Sequence, residues 1–287
     1  MKNFLSRFLL VAVALPALYA AAVYLPRHGH AAIVAVVLVF TAGCGTELSA
    51  LFNQRGVKAE APLWAALSVL PGLYLWTLLR LFPGDSSRTL QAFIAGFGMF
   101  LVAAFLPFAF PRRHEDLQVS LVRSAARAFP LLYPGLLSAP LVLIADLPNT
   151  STPALIWFAL LVFGNDSAAW AVGMLAGRHR GVVVASPNKS VEGFIGAFAG
   201  SLAAAFLGPA LYPRALPGSP WKLILLGILV GVAVITGDLF ESSLKRSAGM
   251  KDSGSVIPGR GGFLDTFDSI LFAAPVFYAA VLILDLV

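Results

Sequence analysis

Apolar runs of about twenty residues recur along the whole of this 287-residue chain, and that is the length an α-helix needs to cross the hydrocarbon core of a bilayer. Lipid offers no water to backbone N–H and C=O groups, so only helices, or sheets closed into barrels, can span it. No stretch alternates with period two over barrel-length strands. The chain is therefore read as all-α, a polytopic integral membrane helical bundle of about nine transmembrane helices. The expected spans are 4–25, 31–52, 62–82, 89–110, 128–146, 154–177, 191–212, 221–240 and 263–285. Composition agrees: 12% of residues are charged, where soluble domains carry about a quarter.

The first run follows Lys2 and Arg7 and contains Ala20-Ala21-Ala22, features shared with signal peptides. Its apolar stretch is long and a second span follows almost at once, so a retained anchor is expected. With the N-terminus in the cytoplasm, fifteen of the twenty Lys and Arg residues fall on the inner side, the bias expected of cytoplasmic loops. The two large polar loops, 178–190 and 241–262, then face the cytoplasm. The net charge of +6 is spread over short loops, which argues against a nucleic-acid partner. The polar stretch 111–127, with Arg112, Arg113, Arg123 and Arg127, is expected at headgroup level as a solvated basic face. Cys44 has no second cysteine to pair with. Residues 1–150 form an N-terminal transmembrane region and 151–287 a second one that holds most of the functional polar groups, the two making one integral membrane unit.

That polar content is densest around 242–268. Asp265 and Asp268 open the last span at i, i+3 and so share a helix face, and Asp238 and Glu241 repeat the spacing at the end of the preceding span. Carboxylates are costly at membrane depth unless paired, metal-bound or wet. Either Asp of the last span alone would serve as a helix cap. Together with Asp238 they favour an oxygen-ligated divalent ion, Mg²⁺ above all. Lys245, Lys251 and Arg260 are interleaved with carboxylates such as Asp252 across a Gly-rich loop that includes Gly254, Gly259, Gly261 and Gly262. Cations neutralise phosphates, and glycine lets backbone N–H groups approach them closely. Phosphoryl and nucleotidyl transfer needs this mixture.

Asn165-Asp166-Ser167 lies in mid-span, where an unpaired Asp would be expensive. Ser186-Pro187-Asn188-Lys189-Ser190 precedes a span that opens on Glu192-Gly193. Ser190 is a candidate N-cap, and Lys189 a candidate anion contact beside it. His28, His30, His114 and His179 lack metal-ligand spacing and are expected to be solvated. Glu47 is expected to be interfacial, a secondary candidate. Carboxylates buried in spans would also suit an ion- or proton-coupled transporter, which has no evident need for the charged glycine loop.

The run Ser242-x-Leu244-Lys245-Arg246-x4-Lys251-Asp252-x-Gly254-x2-Ile257-Pro258-Gly259-x-Gly261-Gly262-Phe263-x-Asp265-x2-Asp268 resembles the signature of phosphatidate cytidylyltransferases. The resemblance reaches back through Gly237-Asp238, Ser186 to Ser190, Glu192-Gly193 and Asn165-Asp166-Ser167, covering about 160–287. It implies a usually dimeric enzyme of the cytoplasmic membrane that joins CTP to phosphatidate, giving CDP-diacylglycerol and pyrophosphate. It places metal ligands on Asp238, Asp265 and Asp268. Nucleotide and lipid phosphates would fall to Lys245, Lys251, Asp252, Asp166, Ser186 and Lys189. The pattern departs from the family at Arg260, where His is usual, and at Thr266, where Arg is usual; Arg260 is expected to supply the displaced guanidinium beside Gly261 and Gly262. The residues do not read the acceptor's tails, so a related lipid phosphate such as an archaeol phosphate stays open.

Overall fold

The computed structural model describes residues 13–14, 16–109 and 114–287. A helical segment at 16–24 (α1) leads into α2 (Arg27–Gln54), α3 (Ala61–Leu81), α4 (Ser86–Ala109) and α5 (His114–Pro130). A π-helical stretch, Leu131–Leu136, joins α5 to α6 (Leu137–Ala145). The chain continues through α7 (Ser151–Ala176), α8 (Val191–Leu211), α9 (Pro220–Ser247) and α10 (Leu264–Ile283). Eight helical runs among the described residues are long and apolar enough to cross a membrane, and the chain is a multi-pass membrane protein. Most of the expected first span, with Lys2 and Arg7, lies outside the described residues, as do Arg112 and Arg113.

Three expectations change. The span expected at 128–146 belongs to one helical run from His114 to Ala145, so Arg123 and Arg127 sit half-buried on its flank rather than on a solvated face. Pro130, Pro134 and Pro140 lack an N–H to donate, and the backbone between the first two widens into a π turn, as π segments do inside longer helices. The span expected to end near 240 continues to Ser247, which puts Lys245 and Arg246 on the last turn of a helix. There their charge complements the helix dipole. His30, expected in solvent, is buried in a left-handed turn ahead of the regular part of α2. Its Nδ1 reaches the carbonyl of Ala145 at 2.9 Å and its Nε2 the hydroxyl of Thr152 at 3.0 Å. Those two partners satisfy both nitrogens of the buried ring.

Small residues set the packing of the C-terminal helices. A methyl group at Gly200 on α8 would strike the Gly164 carbonyl on α7, so the two backbones approach as only glycine allows, the usual route to tight association in lipid. Asn165 strengthens this contact by donating to the Ala197 carbonyl at 3.1 Å and the Ser201 hydroxyl at 2.7 Å. Trp157 on the same helix donates to the Ala204 carbonyl at 3.1 Å. Gly237 on α9 is pressed against the Asp268 carbonyl and the Ser269 Cα on α10. The core runs without a break from α2 (Cys44, Leu48, Leu51) through α7 (Leu161) to α10 (Leu271, Phe277).

Candidate active site

The end of α2 near Gln54, the starts of α8 and α10 and the ends of α7 and α9 lie on one membrane face, because each span reverses the direction of the one before. At that face α9 and α10 cross at Gly237. The close approach there brings Asp238, Glu241 and Asp268 into one another's electrostatic field, and Asp166 on α7 adds a fourth carboxylate.

Each acid has a different environment. Asp238 is held by Lys189, the lysine that precedes the α8 N-cap. That cap is as expected: the Ser190 hydroxyl accepts from Gly193 N at 3.1 Å. Glu241 is fully buried, with Lys245 Nζ 2.7 Å from Oε2 as an ion-pair contact one helical turn away. That contact lacks hydrogen-bond alignment, and neither Glu241 oxygen has a hydrogen-bond partner among the described residues. Asp268 is buried and accepts from its neighbour's amide, Ser269 N, at 2.6 Å. Asp166 is half-buried and lies in the fields of Asp238, Lys189 and Arg260. Arg260 thus stands on the same side of the site as Asp166 and Lys189.

Asp265 does something else. Its Oδ1 accepts from Lys245 Nζ at 2.5 Å, and its Oδ2 from the backbone of Ser253 at 2.9 Å and of Gly262 at 2.8 Å. The Ser253 hydroxyl lies 2.9 Å from the same oxygen. Asp265 therefore folds the glycine loop back onto the start of α10. Gly261, at φ +106°, has the left-handed backbone that this turn requires and that glycine adopts most freely.

Glu47, from the other half of the chain, completes the anchorage and is more than the interfacial residue expected. It is 7% exposed. Its Oε1 accepts from Phe263 N at 2.8 Å, and its Oε2 from Leu264 N at 2.9 Å and from the Ser253 hydroxyl at 2.8 Å. The first amides of α10 have no partner in their own helix, so a carboxylate some 216 residues away in sequence caps them. Gly254 and Gly262 leave room for it; a methyl group at either would strike its carboxylate. The sequence signal was available: a single acid in an otherwise apolar span is costly unless it is used.

Lys251 and Asp252 are exposed on the loop, and Ser186 is half-buried in the α7–α8 connection. That connection is held by Arg180, which donates to the Asn188 carbonyl at 2.8 Å and the Gly173 carbonyl at 2.8 Å. It is held again by Arg246, which reaches the Ala185 carbonyl at 3.3 Å. The Thr266 hydroxyl donates to the Gly262 carbonyl at 3.0 Å. Tyr133, on the π segment, was not foreseen. Its ring lies edge-on to Phe240 at 5.0 Å, and its buried hydroxyl has no partner among the described residues.

Among the described residues no three His, Cys, Asp or Glu side chains converge as a ready-made metal cage. Mg²⁺ does not need one, since it binds one or two carboxylates together with substrate phosphates and water. The donors fit that style of binding. Asp238 and Asp268 offer hard oxygens at a tight crossing, and Asp268 is compensated by a single amide. Asp265 in this conformation is committed to Lys245 and to the loop.

The profile of the cytidylyltransferase family matches residues 5–284. The chain belongs to that family. This family member is 37% identical over 145 residues to the phosphatidate cytidylyltransferase of Helicobacter pylori, a match covering 50% of the chain and 52% of the relative. It is 44% identical over 125 residues to the phosphatidate cytidylyltransferase of Synechocystis, covering 43% and 41%. An uncharacterized protein of Escherichia coli, YnbB, is 38% identical over 137 residues, covering 46% and 45%. The matches thus span about half the length, or somewhat less, of these curated relatives.

Proposed function

We propose that this family member transfers the cytidylyl group of CTP to phosphatidate, producing CDP-diacylglycerol and pyrophosphate, at the cytoplasmic face of the inner membrane. The observation that carries the reading is a charge imbalance at one membrane boundary. Six buried or half-buried carboxylates (Glu47, Asp166, Asp238, Glu241, Asp265 and Asp268) meet three half-buried cations, Lys189, Lys245 and Arg260. Such a surplus repels a bare nucleotide or lipid phosphate, so a site of this kind suits anionic substrates only together with divalent cations. Family membership supplies the nucleotide, and the names of the relatives from Helicobacter and Synechocystis supply the lipid.

In this reading an oxygen of the phosphatidate phosphate attacks the α-phosphorus of CTP. One P–O bond forms, the bond to the β-phosphate bridge breaks, and pyrophosphate leaves with the electron pair. The nucleophile is already an anion, so no strong base is needed, and catalysis reduces to in-line positioning and charge neutralisation. Asp238 and Asp268 are the acids best placed to hold Mg²⁺, which when bound would neutralise phosphate charge and polarise the reacting phosphorus. Lys189 approaches from the α7–α8 connection, Arg260 from the α9–α10 loop and Lys245 from α9. Lys189 and Lys245 can each exchange a carboxylate partner for a substrate phosphate. Glu47 and Asp265 keep the loop 253–263 folded so that Gly261, Gly262 and Arg260 stay beside the acids. Ser186, Lys251 and Asp252 lie at the rim, where polar side chains can orient the nucleotide.

A homodimer, which the family resemblance implies, belongs to the same proposal and is read by light scattering of the purified protein. The decisive experiment incubates purified protein with labelled CTP and phosphatidate, with and without Mg²⁺. Metal-dependent release of pyrophosphate with labelled CDP-lipid is the expected result. Ion flux without CDP-lipid would point to the transporter instead, and product only from an ether-linked phosphate would reassign the acceptor.

A further inference from the structure

A second polar feature lies apart from the acids. A cleft of about 210 Å³ opens between the α2–α3 turn, the last turn of α4 and the middle of α5. Lys58, Arg123 and Arg127 line it with one acid, Glu60, while Trp64 and Phe108 form part of its apolar wall. Lys58 and Arg127 against the one carboxylate of Glu60 give a local surplus of positive charge among these described side chains, the reverse of the balance at the acidic site. Among the described residues neither Lys58 nor Arg127 forms an ion pair.

We propose that this cleft binds the headgroup of an anionic glycerophospholipid from the surrounding bilayer, its phosphate between Lys58 and Arg127 and its chains beginning on Trp64 and Phe108. Position argues for a lipid. The cleft lies where α3 begins and α4 ends, which is the boundary of the spans, and phosphates of bilayer lipids lie at that depth. Size argues against a nucleotide: the cleft is smaller than the roughly 300–1,000 Å³ typical of sites that enclose whole small molecules. Chemistry argues for phosphate. The half-buried guanidinium of Arg127 on α5 offers forked donors, and Lys58 adds a point charge from the facing turn.

The apolar wall also connects with the proposed active site. Trp64 packs on Phe52 at 4.8 Å, Phe52 on Phe129 at 5.5 Å, Phe129 on Tyr133 at 5.6 Å and Tyr133 on Phe240, the neighbour of Glu241. One aromatic row therefore has the cleft at one end and the acids at the other, on the same membrane face. Lipid capture can be read without CTP, so this inference stands apart from the proposed transferase activity.

The test uses the full chain in phosphatidylcholine nanodiscs doped with chain-brominated phosphatidylglycerol. The readout is the quenching assigned to Trp64 by difference from Trp64→Phe. Half-quenching is expected at a mole fraction at least tenfold lower than with brominated phosphatidylcholine. The double variant Lys58→Gln/Arg127→Gln should raise that fraction about tenfold, and Glu60→Gln should lower it. Equal quenching by both lipids, or no shift in either variant, would overturn the proposal. So would displacement of the lipid by inorganic phosphate, which would mark a site for free anions.

Discussion

Replacing Glu47 by alanine removes three contacts at once: those to Phe263 N, Leu264 N and the Ser253 hydroxyl. The hydroxyl carries one hydrogen and already lies 2.9 Å from Asp265, so its loss costs little. The two amides are different. Each orphaned N–H costs about 1–3 kcal/mol, with Leu264 fully buried and Phe263 half-buried. The first therefore takes the upper part of that range and the second the lower, a total of about 3–4 kcal/mol. Confined to the loop, this is an opening roughly a hundredfold or more easier, at about 1.4 kcal/mol per factor of ten. Hydrogen exchange of the purified protein in detergent should show amides 253–264 exchanging about a hundredfold faster, with the amides along the α7–α8 contact unchanged. Glu47→Gln keeps one acceptor oxygen but turns an N–H₂ toward one donor, and should fall between. Unchanged exchange at 253–264, or acceleration spread evenly over all helices, would refute the claim that a residue of α2 holds this loop.

Gly262→Ala places a methyl group against the Glu47 carboxylate and should cost about 1–3 kcal/mol by overpacking. In the Glu47→Ala background most of that cost should vanish, and a double-mutant cycle of thermal midpoints that shows simple additivity would contradict the contact. Asp268→Asn should abolish CTP-dependent product while leaving the thermal midpoint unchanged or raised, because a buried, poorly compensated charge is removed; near-normal turnover would count against its metal role. Arg260→Ala should cost far more activity than Arg246→Ala, since Arg260 acts electrostatically on Asp166 whereas Arg246 braces a loop carbonyl; equal, small losses would remove Arg260 from the site. Asn165→Leu should loosen the α7–α8 contact by about 0.6–1.7 kcal/mol, the scale of hydrogen bonds between helices in a bilayer, as read by detergent-titration unfolding.

The bundle was legible from the sequence because its signal is local. Twenty apolar residues in a row leave the backbone one way to satisfy itself in lipid, and the breaks at Pro, Gly and Ser mark the turns. Arg123 and Arg127 misled for the same reason: they read as part of a solvated basic face, yet both are half-buried on a helix that runs on into the next span. His30 misled likewise, because nothing near it in sequence shows that Ala145 and Thr152 come to meet its ring.

The site divides along a similar line. The acids, the lysines and the glycine loop stood out because charges are rare in this chain, and their spacing already put Asp265 and Asp268 at the mouth of one helix. How the charges are shared out could be decided only in three dimensions. Asp265 belongs to the loop and to Lys245, Asp238 to Lys189, and Asp268 is left with a single amide. Glu47 crosses the length of the chain to cap the helix on which two of these acids stand. Pairing energies fall off over a few ångströms while the partners lie tens to hundreds of residues apart, so chemical type is written in the sequence and partnership arises only when the helices pack.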